Sequence, residues 1–312
     1  MTSKISDVRM RDPFILESPP GRFTLVGTTD ANLWGGPATG FDCYTSADLE
    51  DWEGPIPAFR PPPDFWSDTQ FWAPEIHPYE GRFYMFATFA NSSKGAGPRG
   101  VAVLVSGHPT GPFTPWSDGP LTPRQVPCLD GTLFVDDGLQ PWLVYSRGAE
   151  GLPGGAPGIS DGEMWAIRLS SDLKTAVGQP ELLFTASSAG WSKPLWFPEG
   201  VEPPEQLNLG KDPLFTDGPF LFRSSDGHLL MLWSSFGEEG YAMGIAKSET
   251  GTVLGPWTQR PRPIWARNGG HGMIFTNASK AYLVFHWPND TPNERVKLVE
   301  VEIGADDVHI VG

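Results

Sequence analysis

The chain has 312 residues, a formal charge of -15 at neutral pH, and 37 Gly and 33 Pro beside 13 Trp and 19 Phe. Its 22 Lys and Arg are scattered, so it lacks the basic patches that phosphate backbones need, and nucleic acid is excluded as a partner. No apolar run is long enough for a membrane helix and the opening MTSKISDVRMRDPF holds no apolar core of a signal peptide, so no membrane partner and a cytoplasmic location are expected.

Many short strands and tight turns follow from this composition, and a repeated hairpin runs along the chain. It reads DPFILESPPGRFTLVGTT at 12–29, EIHPYEGRFYMFAT at 75–88, DGTLFVDDGLQPWLVYS at 130–146, DGPFLFRSSDGHLLMLWSS at 217–235 and HGMIFTNASKAYLVFH at 271–286. Each copy has a polar head, a short apolar strand, a turn of Gly, Pro, Asp or Asn, and a second strand rich in aromatic and branched residues. A weaker element follows each hairpin: GFDCYTSADLEDW, GVAVLVSGHPTGPFTPW, GEMWAIRLSSDLKTAVG, YAMGIAKSETGTVLGPW and, shortest, RVKLVEVEI at 295–303. Cys43 and Cys128 have no metal-type spacing and are expected to be reduced thiols.

Two hairpins per unit make a four-stranded antiparallel sheet, and five such sheets predict one all-β domain over residues 1–312, a five-bladed β-propeller around a central channel. A sandwich or a β-helix leaves the polar head of every unit without a reason. In a propeller the first strands line the channel, so Asp12, Glu75, Asp130, Asp217 and His271 are expected to converge on one pocket. Clustered carboxylates raise some of each other's pKa values, which points to acid/base or metal chemistry.

RDPFI at 11–15, FWAPEI at 71–76, the hairpins from Asp130 and Asp217, and GGHGMIF at 269–275 together resemble the blade openings of glycoside hydrolase family 43. That family comprises propeller glycosidases acting on arabinose- and xylose-containing saccharides, some on galactose. The resemblance implies Asp12 as general base, Asp130 as the neighbour that tunes and orients the acid, and Asp217 as the acid. It also implies His271 near a bound calcium or water at the channel centre, with no cofactor required for the chemistry. The family motif usually begins Glu-Gly-Pro where this chain has Asp217-Gly218-Pro219, which leaves Glu163 and Glu199 as rival acids. Trp34, Trp72, Glu75, Glu163 and Arg295 are expected to bind substrate. The long segment 186–213 is expected to rim the pocket and favour exo action. The expected activity is therefore an inverting, exo-acting hydrolase of terminal pentoses in oligosaccharides, α-L-arabinofuranose first and β-D-xylose next. A galactose-specific member or a propeller that binds sugar without turnover is the alternative.

Overall fold

The computed structural model describes residues 2–92, 99–149, 158–195, 209–278 and 280–311. Its strands form five antiparallel sheets. The first contains β1 (Thr2–Lys4), β2 (Arg11–Glu17), β3 (Phe23–Thr28), β4 (Phe41–Ser46) and β5 (Asp51–Phe59). The second contains β6 (Thr69–Tyr79), β7 (Arg82–Ala90), β8 (Gly100–Ser106) and β9 (Thr114–Pro115), and the third β10 (Cys128–Val135), β11 (Pro141–Arg147), β12 (Glu163–Leu169) and β13 (Ala176–Thr185). The fourth contains β14 (Asp217–Arg223), β15 (Leu229–Gly237), β16 (Gly240–Ser248) and β17 (Trp257–Gln259), and the fifth β18 (Gly270–Asn277), β19 (Lys280–Trp287), β20 (Arg295–Ile303) and β21 (Val308–Ile310).

These are the blades of a propeller, with one departure from four strands apiece: β1 pairs with β5 and widens the first blade at its outer edge. The middle strands β7, β8 and β15 are almost wholly buried, because each has a neighbouring blade on both faces, and they read as continuous apolar runs. The outer β13 is mostly exposed and reads as mixed polar sequence. Outer strands β9, β17 and β21 are only two or three residues long, which limits the edge available for pairing with another chain.

Apolar clusters fill the wedges between blades. One joins the third and fourth blades through Trp142, Met164, Phe184, Trp191 and Trp233, and another joins the fourth and fifth through Leu232, Ile245, Leu283 and Phe285. Trp233 is fully buried, lies 4.9 Å from Trp191 and 5.2 Å from Phe184, and donates its indole N–H to Gln259. Trp233→Ala is expected to destabilise the fold by about 3–5 kcal/mol, read as a lower urea midpoint at unchanged slope. Cys43 and Cys128 are buried, and burial, with Asp42 nearby, pushes the Cys43 thiol up to about 12.

Candidate active site

Every innermost strand begins with the same irregularity. The register pairs Arg11 with Thr28, Trp72 with Thr88, Leu129 with Ser146, Asp217 with Ser234 and Gly270 with His286, and then two residues bulge before pairing resumes. The first bulged residue has a positive φ in all five blades: Asp12 at 51°, Ala73 at 45°, Asp130 at 55°, Gly218 at 46° and His271 at 48°. A bulge re-aims a side chain, and here it brings Asp12, Asp130 and His271 together. Left-handed backbone costs a non-glycine residue roughly 1–2 kcal/mol, so something must hold it.

A side chain of the preceding blade does so. Thr28 Oγ1 accepts the Ala73 N–H at 2.8 Å, Thr88 Oγ1 the Asp130 N–H at 2.8 Å, and Ser234 Oγ the His271 N–H at 2.9 Å. Between the third and fourth blades, Ser146 reaches Thr216. Between the fifth and first, the acceptor is an imidazole: the Asp12 N–H donates to His286 Nδ1 at 3.2 Å.

This geometry corrects the expected set of equivalent residues. Asp12, Asp130 and His271 occupy the bulge, but Glu75 lies two residues beyond its blade's bulge residue, Ala73, and Asp217 lies one before Gly218. In the fourth blade the bulge position is closed to side chains, because a Cβ on Gly218 would fall 2.8 Å from His271 Cγ. The imidazole lies flat on that glycine, and the blade's carboxylate is set one position earlier.

His271 Nδ1 stands 3.3 Å from Asp12 Oδ1 and 3.4 Å from Asp130 Oδ2. A nitrogen facing two carboxylates is the one that carries the proton. Asp12 Oδ2 accepts the Thr28 hydroxyl at 2.6 Å. Burial pushes the Asp12 carboxyl up, but His271 and Arg11, with the Thr28 hydrogen bond, outweigh it and leave the group below the ordinary aspartate range.

Asp217 has the opposite environment. Burial, then the adjacent Asp130, hold its carboxyl well above the ordinary range. Tyr241 donates to Asp217 Oδ2 at 2.6 Å, while Oδ1 is buried with no donor aimed at it. A proton shared between Asp217 and Asp130 accounts for two buried carboxyls lying against each other. Asp130 itself is pushed up to about 6, by burial first and by Asp12, against its bonds from Asp217 and Thr88. The three aspartates thus divide into one ionised carboxylate and a pair that retains a proton.

Asp30 accepts the backbone N–H groups of Asn32 and Thr39 and so shapes the loop that carries Trp34. Trp34 is 59% exposed and meets Trp72 edge to face at 5.8 Å. Arg11 lies over the Trp34 ring at 5.1 Å, and Arg99 over Trp72 at 4.3 Å. The Trp34 indole donates to Thr291 of the fifth blade, and the Trp72 indole to Leu33 O. Glu75 is buried and bonded to His77 Nε2 at 2.9 Å.

Glu163 and Arg295 do not join the cluster. The Glu163 carboxylate takes Arg147 Nη1 at 3.0 Å and Trp165 Nε1 at 2.9 Å, at the start of the third strand of its blade. Arg295 Nη1 donates to the carbonyls of Pro292 and Glu294, bracing the loop before its own strand. Glu199 and residues 196–208 of the long segment lie outside the described residues.

Sequence reasoning missed Arg11, Thr28, Thr88, Tyr241 and His286. A signal for three of them was present. The second strands of the hairpins end in LVGT, MFAT, LVYS, MLWS and LVFH, so their terminal residues form a series of four hydroxyls and one histidine. Arg11 is fixed by a buried ion pair with Glu294 at 2.9 Å, a partner 283 positions away that no local pattern reveals.

A curated relative, the extracellular exo-alpha-(1->5)-L-arabinofuranosidase of Cellvibrio japonicus, is 23% identical over 279 residues, 79% of this chain and 72% of its own. Its name places it outside the cell and overturns the cytoplasmic expectation, which rested on the opening residues alone. Among solved structures, an endo-arabinase from Bacteroides thetaiotaomicron is 37% identical with a TM-score of 0.80, covering 96% of both chains. An alpha-L-arabinofuranosidase from Lactobacillus brevis, 17% identical, shares the fold at a TM-score of 0.69 over 99% of this chain and 97% of its own. The family model described as glycosyl hydrolases family 43 matches residues 1–309, and with the blade openings now placed in three dimensions, the chain belongs to that family.

Proposed function

We propose that the protein is an inverting glycosidase that removes terminal α-L-arabinofuranosyl residues from arabinose-containing oligosaccharides. The observation that carries this reading is the buried cluster in which Asp12 is contacted by His271 and Thr28 while Asp217 is contacted by Tyr241 beside Asp130, an arrangement that holds Asp12 below and Asp217 well above the ordinary aspartate range. Inversion needs an ionised carboxylate to take a proton from water and a protonated one to give a proton to the departing oxygen. Asp12 is the base: it accepts the proton of the water whose oxygen attacks the anomeric carbon. Asp217 is the acid, its proton passing to the glycosidic oxygen as the C–O bond breaks. Asp130 keeps that proton in place and regains a share of negative charge when it leaves. His271 Nδ1 bridges the Asp12 and Asp130 carboxylates.

The choice of sugar rests on the arabinose-acting relatives, and release outside the cell accords with the Cellvibrio protein. The exo reading rests on the exo-acting Cellvibrio relative and on the anchored Trp34 loop, which is tied to the second blade through Trp72 and Gln70 and to the fifth through Thr291. The 59% exposed indole of Trp34 offers an apolar surface to a sugar ring.

One ligand atom each from Asp130, Asp217 and His271 lies within 4.8 Å of the others. Calcium takes six to eight oxygens, and this set supplies two carboxylates, one favouring its proton, and a nitrogen base, donors that do not fit calcium.

Chromatography of products from linear 1,5-linked arabino-oligosaccharides tests the reading. Arabinose as the sole early product, undiminished by EDTA, is expected. Early release of di- and trisaccharides would instead support endo cleavage, the activity named for the 37%-identical Bacteroides protein. Binding without any product, across aryl arabinofuranoside, xyloside and galactoside, would mark a sugar-binding propeller.

A further inference from the structure

We propose, building on the catalytic reading above, that His286 is a positioning residue that joins the base to the acid. Four blades hold the next blade's strand opening with a hydroxyl from the end of their second strand, Thr28, Thr88, Ser146 and Ser234; the fifth uses His286, beside the base. A hydroxyl suffices for a strut, as the other blades demonstrate. The imidazole must therefore be explained by what its larger ring reaches.

It reaches three groups. Nδ1 accepts the Asp12 N–H, so the ring proton resides on Nε2, which lies 3.2 Å from Asn289 Oδ1 and donates to it. The ring's face stacks on Tyr241 at 5.7 Å and 21°. Tyr241 in turn donates to Asp217 Oδ2. One fully buried side chain thus fixes the backbone of Asp12 and packs against the phenol that holds Asp217. Burial first, then Arg11, lowers His286 to about 3, so the ring stays neutral and its Nδ1 lone pair stays available. Asp12 and Arg11 from β2, His271 from β18 and Tyr241 from β16 are the titratable or charged groups that face it. Asp217 is faced by Asp130, His271 and Tyr241.

The test is His286→Thr, which installs the residue that the first and second blades use at this position. The strut survives and the stack is lost. kcat is expected to fall about 10- to 100-fold, the scale of a misplacement near 1 Å, with KM within about twofold and circular dichroism unchanged. Loosening Tyr241 weakens a hydrogen bond that favours the ionised form of Asp217, so the alkaline limb of kcat/KM moves to higher pH. Tyr241→Phe is expected to move it the same way, and the double variant to lose no more rate than Tyr241→Phe alone. Should His286→Thr fail to fold, His286→Asn, whose side-chain oxygen also accepts the strut, is read in its place.

Difference infrared titration of the carboxylic acid band of Asp217, assigned by its loss in Asp217→Asn, gives a readout in the resting protein that needs no turnover. An upward shift of its midpoint in His286→Thr supports the proposal even if the sugar assignment fails. Unchanged kcat and midpoint, or losses that multiply in the double variant, would overturn it.

Discussion

Asp12→Ala is expected to lower kcat on an aryl arabinofuranoside by about 10³- to 10⁴-fold, the upper range for general acid–base catalysis, with KM little changed. The carboxylate accepts the Thr28 hydroxyl, lies 3.3 Å from His271 Nδ1 and is flanked by Arg11. These contacts hold it ionised below the ordinary aspartate range. The base works deprotonated, so the acid limb of kcat/KM should lie at correspondingly low pH in the wild type. Replacing Thr28 by Val removes one of the stabilising contacts and should move that limb upward. The assay fails the proposed role if Asp12→Ala retains more than about a tenth of wild-type kcat, a loss too small for a missing general base.

Asp217→Asn is expected to cost about 10²- to 10⁴-fold in kcat on oligosaccharides, whose departing hydroxyl needs a proton. The loss should be far smaller on dinitrophenyl arabinofuranoside, whose leaving group departs without one. The contrast separates a proton donor from a residue that merely supports the pocket, which would lower both rates alike. Asp130→Asn supplies the matching pH experiment. Removing the negative neighbour lets Asp217 ionise more readily, so the alkaline limb should shift to lower pH. Because Asp130 and Asp217 share their titration, the limb reports the pair rather than either residue alone.

The blades were legible because burial on both faces forces apolar runs onto strands such as β7 and β15, and Gly, Pro, Asp and Asn mark their turns. Asp12, Asp130 and His271 were legible as strand heads that meet at one end of the channel. Glu75 and Asp217 were aligned one or two positions out, since a polar letter at a strand start does not disclose which residue takes the left-handed bulge. The reason Gly218 must occupy that position is the His271 ring above it, a contact across 53 residues. Glu163 read as a candidate acid, but Arg147 and Trp165 engage its carboxylate, and both partners were visible in the sequence without any sign that they converge. The roles of the aspartates came from family resemblance, while their division into ionised and protonated members came from the contacts.

Successive blades are covalently continuous, but the fifth and first meet with no peptide link between them, and the strut crossing that seam ends on Asp12, the proposed base. A bridge between Arg9 and Arg295, the ion pair of Arg11 with Glu294, the Trp34–Thr291 hydrogen bond and the packing of Phe23 on Phe275 also cross it. Asp12 therefore sits at the ring's clasp. A loosening of the first blade against the fifth would reach Asp12 directly through its backbone N–H, so hydrolytic rate is expected to report on ring closure.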